Sequence, residues 1–307
     1  MKNMEKNNNV SKDNIKRRKV SAFTVIICAL LILYCLSLII PAGWGLMTSL
    51  KDKWAFRADK FGFPKELKFS NYVTVIRKFY VEIETTGEYT SRKVFVLEML
   101  YNSLVYSVGL SLVGTFITAI MAYATARFKY RSSKMIYTLV IVTMILPIVG
   151  SLPSELAVAR ALGLFDSVIG MLVMKSYFFG LYFLVLYSTF EGIPRDYSEA
   201  AQIDGANNLT VMFRIMFPFI RNVFFTIFIL KFIGYWNDYQ TPLLFMPSRP
   251  TLAYGLYHFA NEFHDNEIKG EPMQLAACFL MAVPIFILFL ALQKRLMGNL
   301  SMGGLKG

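Results

Sequence analysis

Charged residues are scarce in this chain of 307 residues: they make up 17% of it, whereas soluble domains carry about a quarter. Hydrophobic residues supply 55%, and the mean hydropathy is +0.47. This balance indicates an integral membrane protein rather than a soluble domain. The net charge of +12 comes from basic residues beside apolar runs. We interpret these residues as signals of membrane topology and as contacts with lipid headgroups, and not as a nucleic-acid-binding surface.

Cysteine and histidine are also rare. The three cysteines, Cys28, Cys35 and Cys278, lie in apolar runs, where cysteine is typically a small buried hydrophobe. The two histidines, His258 and His264, share one predicted polar loop and have no partners at metal-ligand spacing. The sequence therefore predicts no disulfide framework, no metal site and no cofactor.

Motifs for chemistry are missing as well. The chain has no phosphate-binding glycine loop and no nucleophile motif, which argues against an ATPase of its own and against a membrane enzyme or sensor. A secondary transporter driven by an ion gradient would need carboxylates inside the membrane. The centres of the apolar runs have none, because Glu98 and Asp238 lie at boundaries.

Six apolar runs are candidates for membrane-spanning helices, which need about 20 residues each. They cover about 20–44, 94–126, 135–149, 168–190, 219–236 and 275–292. The third is the shortest because Pro147 and Pro153 interrupt it. We therefore predict an all-α integral membrane protein with six transmembrane helices.

The distribution of lysine and arginine predicts that both termini are cytoplasmic. Basic residues cluster in "KRRK" before the first run and in "RFKYRSSK" after the second. The first run is longer than a signal-peptide core and lacks a clear cleavage site, so we expect an uncleaved anchor. The predicted parts are a disordered basic cytoplasmic tail (1–19), the first transmembrane helix (20–44), an external loop (45–93), a five-helix core (94–293) and a cytoplasmic C-terminal tail (294–307).

Two lysines fall inside the predicted spans. Lys175 lies in the fourth run and Lys231 in the fifth, where a charge costs about 2.5 to 3.5 kcal/mol on insertion scales. Each lysine either lines a wet pathway or pairs across helices, or it is structural and docks on carbonyls or snorkels. The sequence leaves these alternatives open.

A polar segment, "IPRDYSEAAQIDGANNLTVMFRIMFP", separates the fourth and fifth runs. Asp196 and Glu199 have the spacing of a capping box, and Gly205 is suited to the left-handed conformation that stops a helix. A second helix is predicted from Leu209 to about Phe217. A simple connector needs only a few residues, so a capped helix with a smooth alanine face and a sharp stop indicates a fit to a cleft on another protein.

This segment resembles the EAA motif of permease subunits of binding-protein-dependent ATP-binding-cassette importers. The motif reads E-A-A, three residues, G, nine residues, I, one residue, L-P. The matching positions here are Glu199, Ala200, Ala201, Gly205, Ile215 and Pro218. Phe217 stands where leucine is usual, an apolar exchange that should preserve the packing.

Flanking stretches are similar to the carbohydrate-uptake, maltose-type subfamily. They include "ALGLFDSVIGMLV", "YWNDYQTPLLF", "TLAYGLYHF" and the closing "MGNLSMGGLKG". The resemblance implies a six-span permease subunit that performs no covalent chemistry. A permease of the same superfamily for another solute, such as a polyamine, phosphate or peptide, remains the alternative.

The resemblance also implies partners and a mechanism. We expect a second permease subunit in a heterodimer, a cytoplasmic ATPase dimer, an external solute-binding protein and the lipid of a bacterial inner membrane, and no nucleic acid. The segment 191–218, called the EAA loop below, would be a cytoplasmic coupling helix that docks on the ATPase. ATP-driven closure of the ATPase would then move this helix and switch the permease between inward-facing and outward-facing states.

Overall fold

The computed structural model describes residues 22–84, 91–128, 130–146, 150–261 and 270–300. The chain divides into two compact units, Met1–Met47 and Thr48–Gly307. Several expectations lie outside the described residues: the disordered tail of residues 1–19, His264, Pro147 and the last seven residues of the C-terminal tail, 301–307.

Helices dominate the described residues. The helices before the EAA loop are α1 (Ala22–Ser49), α2 (Lys53–Ala58), α3 (Ser70–Lys78), α4 (Val96–Arg127), α5 (Arg131–Ile145), α6 (Leu152–Ala161), α7 (Val168–Lys175) and α8 (Leu181–Glu191). Those in and after it are α9 (Asp196–Ile203), α10 (Asn208–Thr210), a π-helical turn (Val211–Met216), α11 (Phe217–Asn237), α12 (Gln240–Phe245), α13 (Leu252–Asn261) and α14 (Glu271–Leu300).

The all-α prediction needs one correction, because the predicted external loop contains a β-hairpin. Strand β1 (Tyr80–Glu84) pairs antiparallel with β2 (Ser91–Phe95), with Tyr80 opposite Phe95 and Glu84 opposite Ser91. Val81 and Val94 are fully buried against α3, α13 and the start of α14. Sequence reasoning missed strand β1, although Val81 and Ile83 alternate with the exposed Glu82 and this alternation was a usable signal.

The segment before the hairpin also has a buried group of hydrogen-bonded polar residues. The Asn71 side-chain amide donates to the carbonyl oxygens of Ser49 and Lys51, at 2.8 Å each. The buried Lys51 ammonium in turn donates to the carbonyl oxygens of Asp59 and Lys60. Backbone N–H groups of Gly62 and Phe61 donate to the Asp59 carboxylate and lower its pKa. Residues 48–84 are thus folded rather than a plain connecting loop.

Four described helices are long and apolar enough to cross a membrane: Ala22–Ser49, Val96–Arg127, Asn208–Asn237 and Glu271–Ala291. The third and fourth predicted runs give shorter helices. The fourth run is not one helix, because residues 176–180 separate α7 from α8 and Gly180 has φ +117°. The six-span topology therefore stays a prediction.

Helix α4 forms the centre of the second unit. It packs mainly on α11 and α8, around buried side chains that include Tyr123, Phe190 and Phe224. Several buried hydroxyls on α4 donate within the helix, as Thr115 does to the Ser111 carbonyl oxygen at 2.6 Å, whereas the buried Ser107 hydroxyl has no hydrogen-bond partner in the described structure. Such back-bonding lets a polar face lie inside a packed membrane helix.

Two minor expectations are wrong. His258 lies in helix α13 rather than in a polar loop. The three cysteines are free and exposed on α1 and α14, not buried. Faces of apolar membrane helices contact lipid or a partner chain, so exposure there is compatible with an apolar environment.

Candidate functional site

The EAA helix α9 begins one residue earlier than its sequence indicates. Arg195 occupies the N-cap position in a helical conformation and makes no side-chain cap. The predicted capping box between Asp196 and Glu199 is therefore wrong. Both carboxylates lie in the first turn instead, where the helix dipole favours negative charge, and the Ser198 hydroxyl donates to the Arg195 carbonyl oxygen at 2.7 Å.

The stop signal at Gly205 is confirmed. Gly205 has φ +85°, and the Ala206 N–H donates to the Ala201 carbonyl oxygen at 2.9 Å, which closes the end of α9. No heavy atom lies within 4 Å of the position that a Cβ on Gly205 would take. A side chain here would strain the backbone without meeting a neighbour within this chain.

The predicted second helix is the first part of the long apolar helix Asn208–Asn237. The Asn207 side chain caps it by accepting from the Thr210 N–H at 2.8 Å, and the helix continues through the π-helical turn into α11. Phe217 stacks on Phe116 with ring centroids 6.0 Å apart and contacts Phe224 at 5.0 Å. The phenylalanine in place of the usual leucine therefore packs into the core.

Most of the surface of helix α9 is exposed. It buries none of its own residues, and Glu199, Ala200 and Gly205 are exposed. Ile203 is 86% exposed and Leu209 is 67% exposed beside them. Exposed apolar side chains grouped with polar ones mark interaction surfaces. Sequence reasoning missed Ile203 and Leu209, although apolar residues flanking a helix stop in a polar segment were a usable signal.

The remaining motif residues lie at the base of the loop. Ala201 and Ile215 are half-buried, and Ala201 packs against the core of α4, α8 and α11. Pro218 is exposed in the first turn of α11. The motif thus has an exposed part on α9 and a packed part at its base.

Arg127, at the end of α4, joins the two ends of the EAA loop. Its Nη2 donates to the Ile193 carbonyl oxygen at 2.8 Å and lies 3.6 Å from Met216 Sδ. Ile193 precedes α9, and Met216 ends the π-helical turn. Sequence reasoning counted Arg127 only as a topology signal, because these contacts join residues far apart along the chain.

Lys175 has an acidic partner that the sequence did not indicate. Its ammonium forms an ion pair with Glu155 of α6 and lies 4.6 Å from the centroid of the Phe245 ring. The Ser151 hydroxyl also donates to Glu155, at 2.8 Å. The Lys175 ammonium and this hydroxyl lower the pKa of Glu155.

Lys231 has a different environment. Its Nζ donates to the Thr118 hydroxyl at 3.2 Å and lies 5.8 Å from the centroid of the Tyr182 ring. It forms no ion pair with any residue that the structure describes. Gly114 adjoins both Lys231 Nζ and Ser176, where the fourth run breaks. The cation therefore lies next to non-helical backbone.

The family follows from comparison with known proteins. Residues 96–300 match the family described as binding-protein-dependent transport system inner membrane component, and the chain belongs to it. It is accordingly a multi-pass inner-membrane permease subunit of an ATP-binding-cassette importer, a transport component and not an enzyme. Membership implies an ATPase and a solute-binding protein as partners.

Relatives align with most of the chain. A diacetylchitobiose uptake system permease protein of Streptomyces coelicolor is 26% identical, with 92% of this chain and 88% of the relative aligned. A sulfoquinovosyl glycerol transport system permease protein of Agrobacterium fabrum is 28% identical, over 87% and 88%. A melibiose/raffinose/stachyose import permease protein of Bacillus subtilis is 29% identical, over 75% and 91%.

A solved structure has the same fold. It is the crystal structure of a bacterial transporter involved in the import of the acidic polysaccharide alginate, and one of its chains aligns with a TM-score of 0.74. The alignment covers 92% of this chain and 99% of that chain, at 20% identity.

We expect the ion pair of Lys175 and Glu155 to contribute to the stability of the protein. Glu155→Gln should destabilise the protein more than the double change Glu155→Gln/Lys175→Met, because the single change leaves a largely buried ammonium unpaired. We expect a coupling of about 0.5 to 3 kcal/mol in a double-mutant cycle of unfolding in detergent. Because the pKa of Glu155 is lowered from 4.5, the contribution is complete at neutral pH and is lost as the pH falls through the lowered value.

The exposed pair of Glu82 and Lys93, 3.6 Å apart on the hairpin, is the matched control. Its cycle should give about 1 kcal/mol or less, as for a surface ion pair. Additive effects at Glu155 and Lys175 would show that the ion pair does not contribute to stability.

Proposed function

We propose that this chain forms half of the translocation pathway of an ATP-driven importer for a sugar or oligosaccharide, and couples to its ATPase through the EAA loop. The observation that carries the coupling proposal is the exposed face of α9, where Glu199 and Ala200 lie beside the apolar Ile203. The sugar proposal is supported by three relatives whose names specify glycans or a glycoside.

The proposed assembly has two permease chains, an ATPase dimer and an external binding protein in a lipid bilayer. In this chain, six spans with both termini inside place the EAA loop in the cytoplasm and residues 45–93 outside. The predicted boundaries at 19, 44, 93 and 293 belong to the same proposal. The basic residues of "RFKYRSSK" support this orientation.

Coupling requires that displacement of α9 reach the membrane helices. Two connections support this: the contacts of Arg127 with Ile193 and Met216, and the uninterrupted helix of residues 208–237. An ATPase that binds α9 differently in its open and closed states would bias the permease between two conformations by that difference in binding free energy.

We assign different roles to the two intramembrane lysines. Lys175 is structural, because Glu155 neutralises it. Lys231 lines the solute pathway, because it lies beside the non-helical residues 176–180 and its hydrogen-bond partner in the described structure is the hydroxyl of Thr118. Irregular backbone at membrane depth is tolerated where it is buried in protein or lines a water-filled cavity.

Uptake of labelled oligosaccharides tests the solute and the role of Lys231 together. A strain that lacks the chain should lose uptake, and the wild-type gene should restore it. Lys231→Met should lower the rate about tenfold to a hundredfold, which corresponds to one hydrogen bond from a charged donor. The matched control is Lys175→Met/Glu155→Gln, which removes a membrane lysine together with its acidic partner and should retain uptake.

Normal uptake with Lys231→Met would make this lysine structural. Loss of uptake of a polyamine, phosphate or peptide, with sugar uptake intact in the deletion strain, would overturn the sugar proposal and leave the permease assignment standing.

Two glycine substitutions test whether the ATPase docks on the EAA loop. Both strain the backbone in the same way, but only one of them lies in the loop. Gly205→Asp and Gly163→Asp each place a side chain at positive φ, +85° and +67°, where no heavy atom lies within 4 Å of the added Cβ. We expect Gly205→Asp, but not Gly163→Asp, to reduce the amount of ATPase retained in a membrane pull-down. The reduction should be about tenfold, which corresponds to ~1.4 kcal/mol of binding free energy lost at the contact. Glu199→Ala should have a smaller effect, because an exposed first-turn carboxylate contributes about 0.3 to 1 kcal/mol.

Gly163→Asp should insert, retain the ATPase and transport normally, because Gly163 lies between α6 and α7, outside the EAA loop. If Gly205→Asp also keeps both the ATPase and transport, the EAA loop is merely a connector.

A further inference from the structure

A cavity of about 450 Å³ lies beside the base of the EAA loop, where α4 and α8 end and α5 begins. Its basic wall residues are Arg127, Lys134 and Arg195, and Glu191 is its acidic one. None of the three cations forms an ion pair with a residue in the described part of the chain. The cavity therefore has an excess of positive charge.

Two of these cations come from the two elements that meet at the base of the EAA loop. Arg127 ends α4, Arg195 immediately precedes α9, and both line the cavity. Arg127 uses a terminal nitrogen on the Ile193 carbonyl oxygen, while its Nε is buried without a hydrogen-bond partner in the described structure. Because Nε is closed off from the cavity, it does not contribute to binding there. Like charges around one cavity repel each other, and a bound anion would offset that repulsion.

The rest of the wall favours a phosphate group as that anion. Tyr130, Tyr137 and Tyr187 add hydroxyl groups to the guanidinium and ammonium groups, whereas the Ser133 hydroxyl already donates to the Phe128 carbonyl oxygen. A phosphate has several acceptor oxygens and suits such a mixed set of donors, since arginine binds it through paired N–H groups. A lone carboxylate would leave more of these donors without a partner.

The position of the cavity favours a lipid as the source of the phosphate. Three membrane helices end or begin around it, and tyrosine is typical of the membrane interface. Basic cavities between helices on the cytoplasmic side bind anionic headgroups. We infer that this cavity binds the phosphate of an anionic phospholipid of the inner leaflet. Its cytoplasmic orientation rests on the proposed function.

Lipid bound here would act at the base of the coupling helix. Arg195 immediately precedes α9, and Arg127 holds Ile193. A phosphate in the cavity would attract both guanidinium groups, and so hold the start of α9 against the end of α4. The site is thus a lipid contact that stabilises one position of the EAA loop.

Retention of lipid by the full-length protein tests this inference. The protein is reconstituted into nanodiscs of phosphatidylcholine with phosphatidylglycerol, extracted and washed in detergent, and its bound lipids are measured by mass spectrometry. The wild type should retain phosphatidylglycerol in preference to phosphatidylcholine. Lys134→Gln/Arg195→Gln should lower this retention about 25-fold, from about fivefold for each basic residue near an anionic surface.

Arg131→Gln is the matched control, since Arg131 is exposed at the start of α5 and does not line the cavity. It should retain the lipid as the wild type does. Equal retention by the double variant and the wild type would overturn the inference, and so would an equal loss in Arg131→Gln, because the effect would then be one of overall charge.

A separate arm distinguishes lipid from soluble phosphate. Wild-type protein in phosphatidylcholine alone is titrated with inorganic phosphate, and displacement of phosphatidylglycerol by inorganic phosphate is measured in the mixed nanodiscs. Saturable binding of phosphate with displacement of the lipid would contradict a lipid source. Lipid retention that inorganic phosphate does not reduce would support it. Neither readout involves transport or ATP, so failure here leaves the proposed function untouched, and failed sugar uptake leaves the lipid result standing.

Discussion

Arg127 contacts residues near both ends of the EAA loop and so connects the loop to the central helix α4. Helix α9 buries none of its own residues, so it has no core of its own. Its position is fixed by the hydrogen bond from Arg127 to Ile193, and by the packing of Ala201 and Ala206 against the core. Because Arg127 ends the central helix α4, displacement of α9 must move α4 or break this contact.

Polar groups within the apolar helices are arranged so that most have partners inside the chain. Hydroxyls on α4 bond to the preceding turn, as Thr118 does to the Gly114 carbonyl oxygen at 2.6 Å, and Lys175 has Glu155. Lys231 differs because its described hydrogen-bond partner is a neutral hydroxyl. In an apolar medium such a cation is costly unless water or a solute reaches it, which is why we distinguish the two lysines.

Local sequence signals predicted the features that depend on local chemistry. The positive φ of Gly205 follows from its place after an alanine-rich helix, and the longest helices follow from apolar runs such as 94–126. Features set by distant contacts were not predictable in this way. Glu155 looks like any external carboxylate until α6 brings it to Lys175, 20 residues away along the chain.

Backbone geometry explains the other differences. The capping box failed because Arg195 already has helical angles after Pro194, which shifts Asp196 into the first turn. The fourth apolar run breaks at residues 176–180, where Gly180 has a φ that other residues rarely adopt. An apolar run gives no warning of such a break, because helix and extended backbone can carry the same side chains.

We propose that the exposed face of α9 docks on the ATPase, and a photo-crosslinking amino acid at Ile203 provides the test. Ile203 is 86% exposed and makes no contribution to the core, so the substitution leaves the fold intact. In intact cells, we expect irradiation to join this chain to its ATPase subunit, and the same amino acid at the 90% exposed Phe63 to give no such product. Absence of the ATPase crosslink at Ile203, in a complex that still transports, would contradict the account.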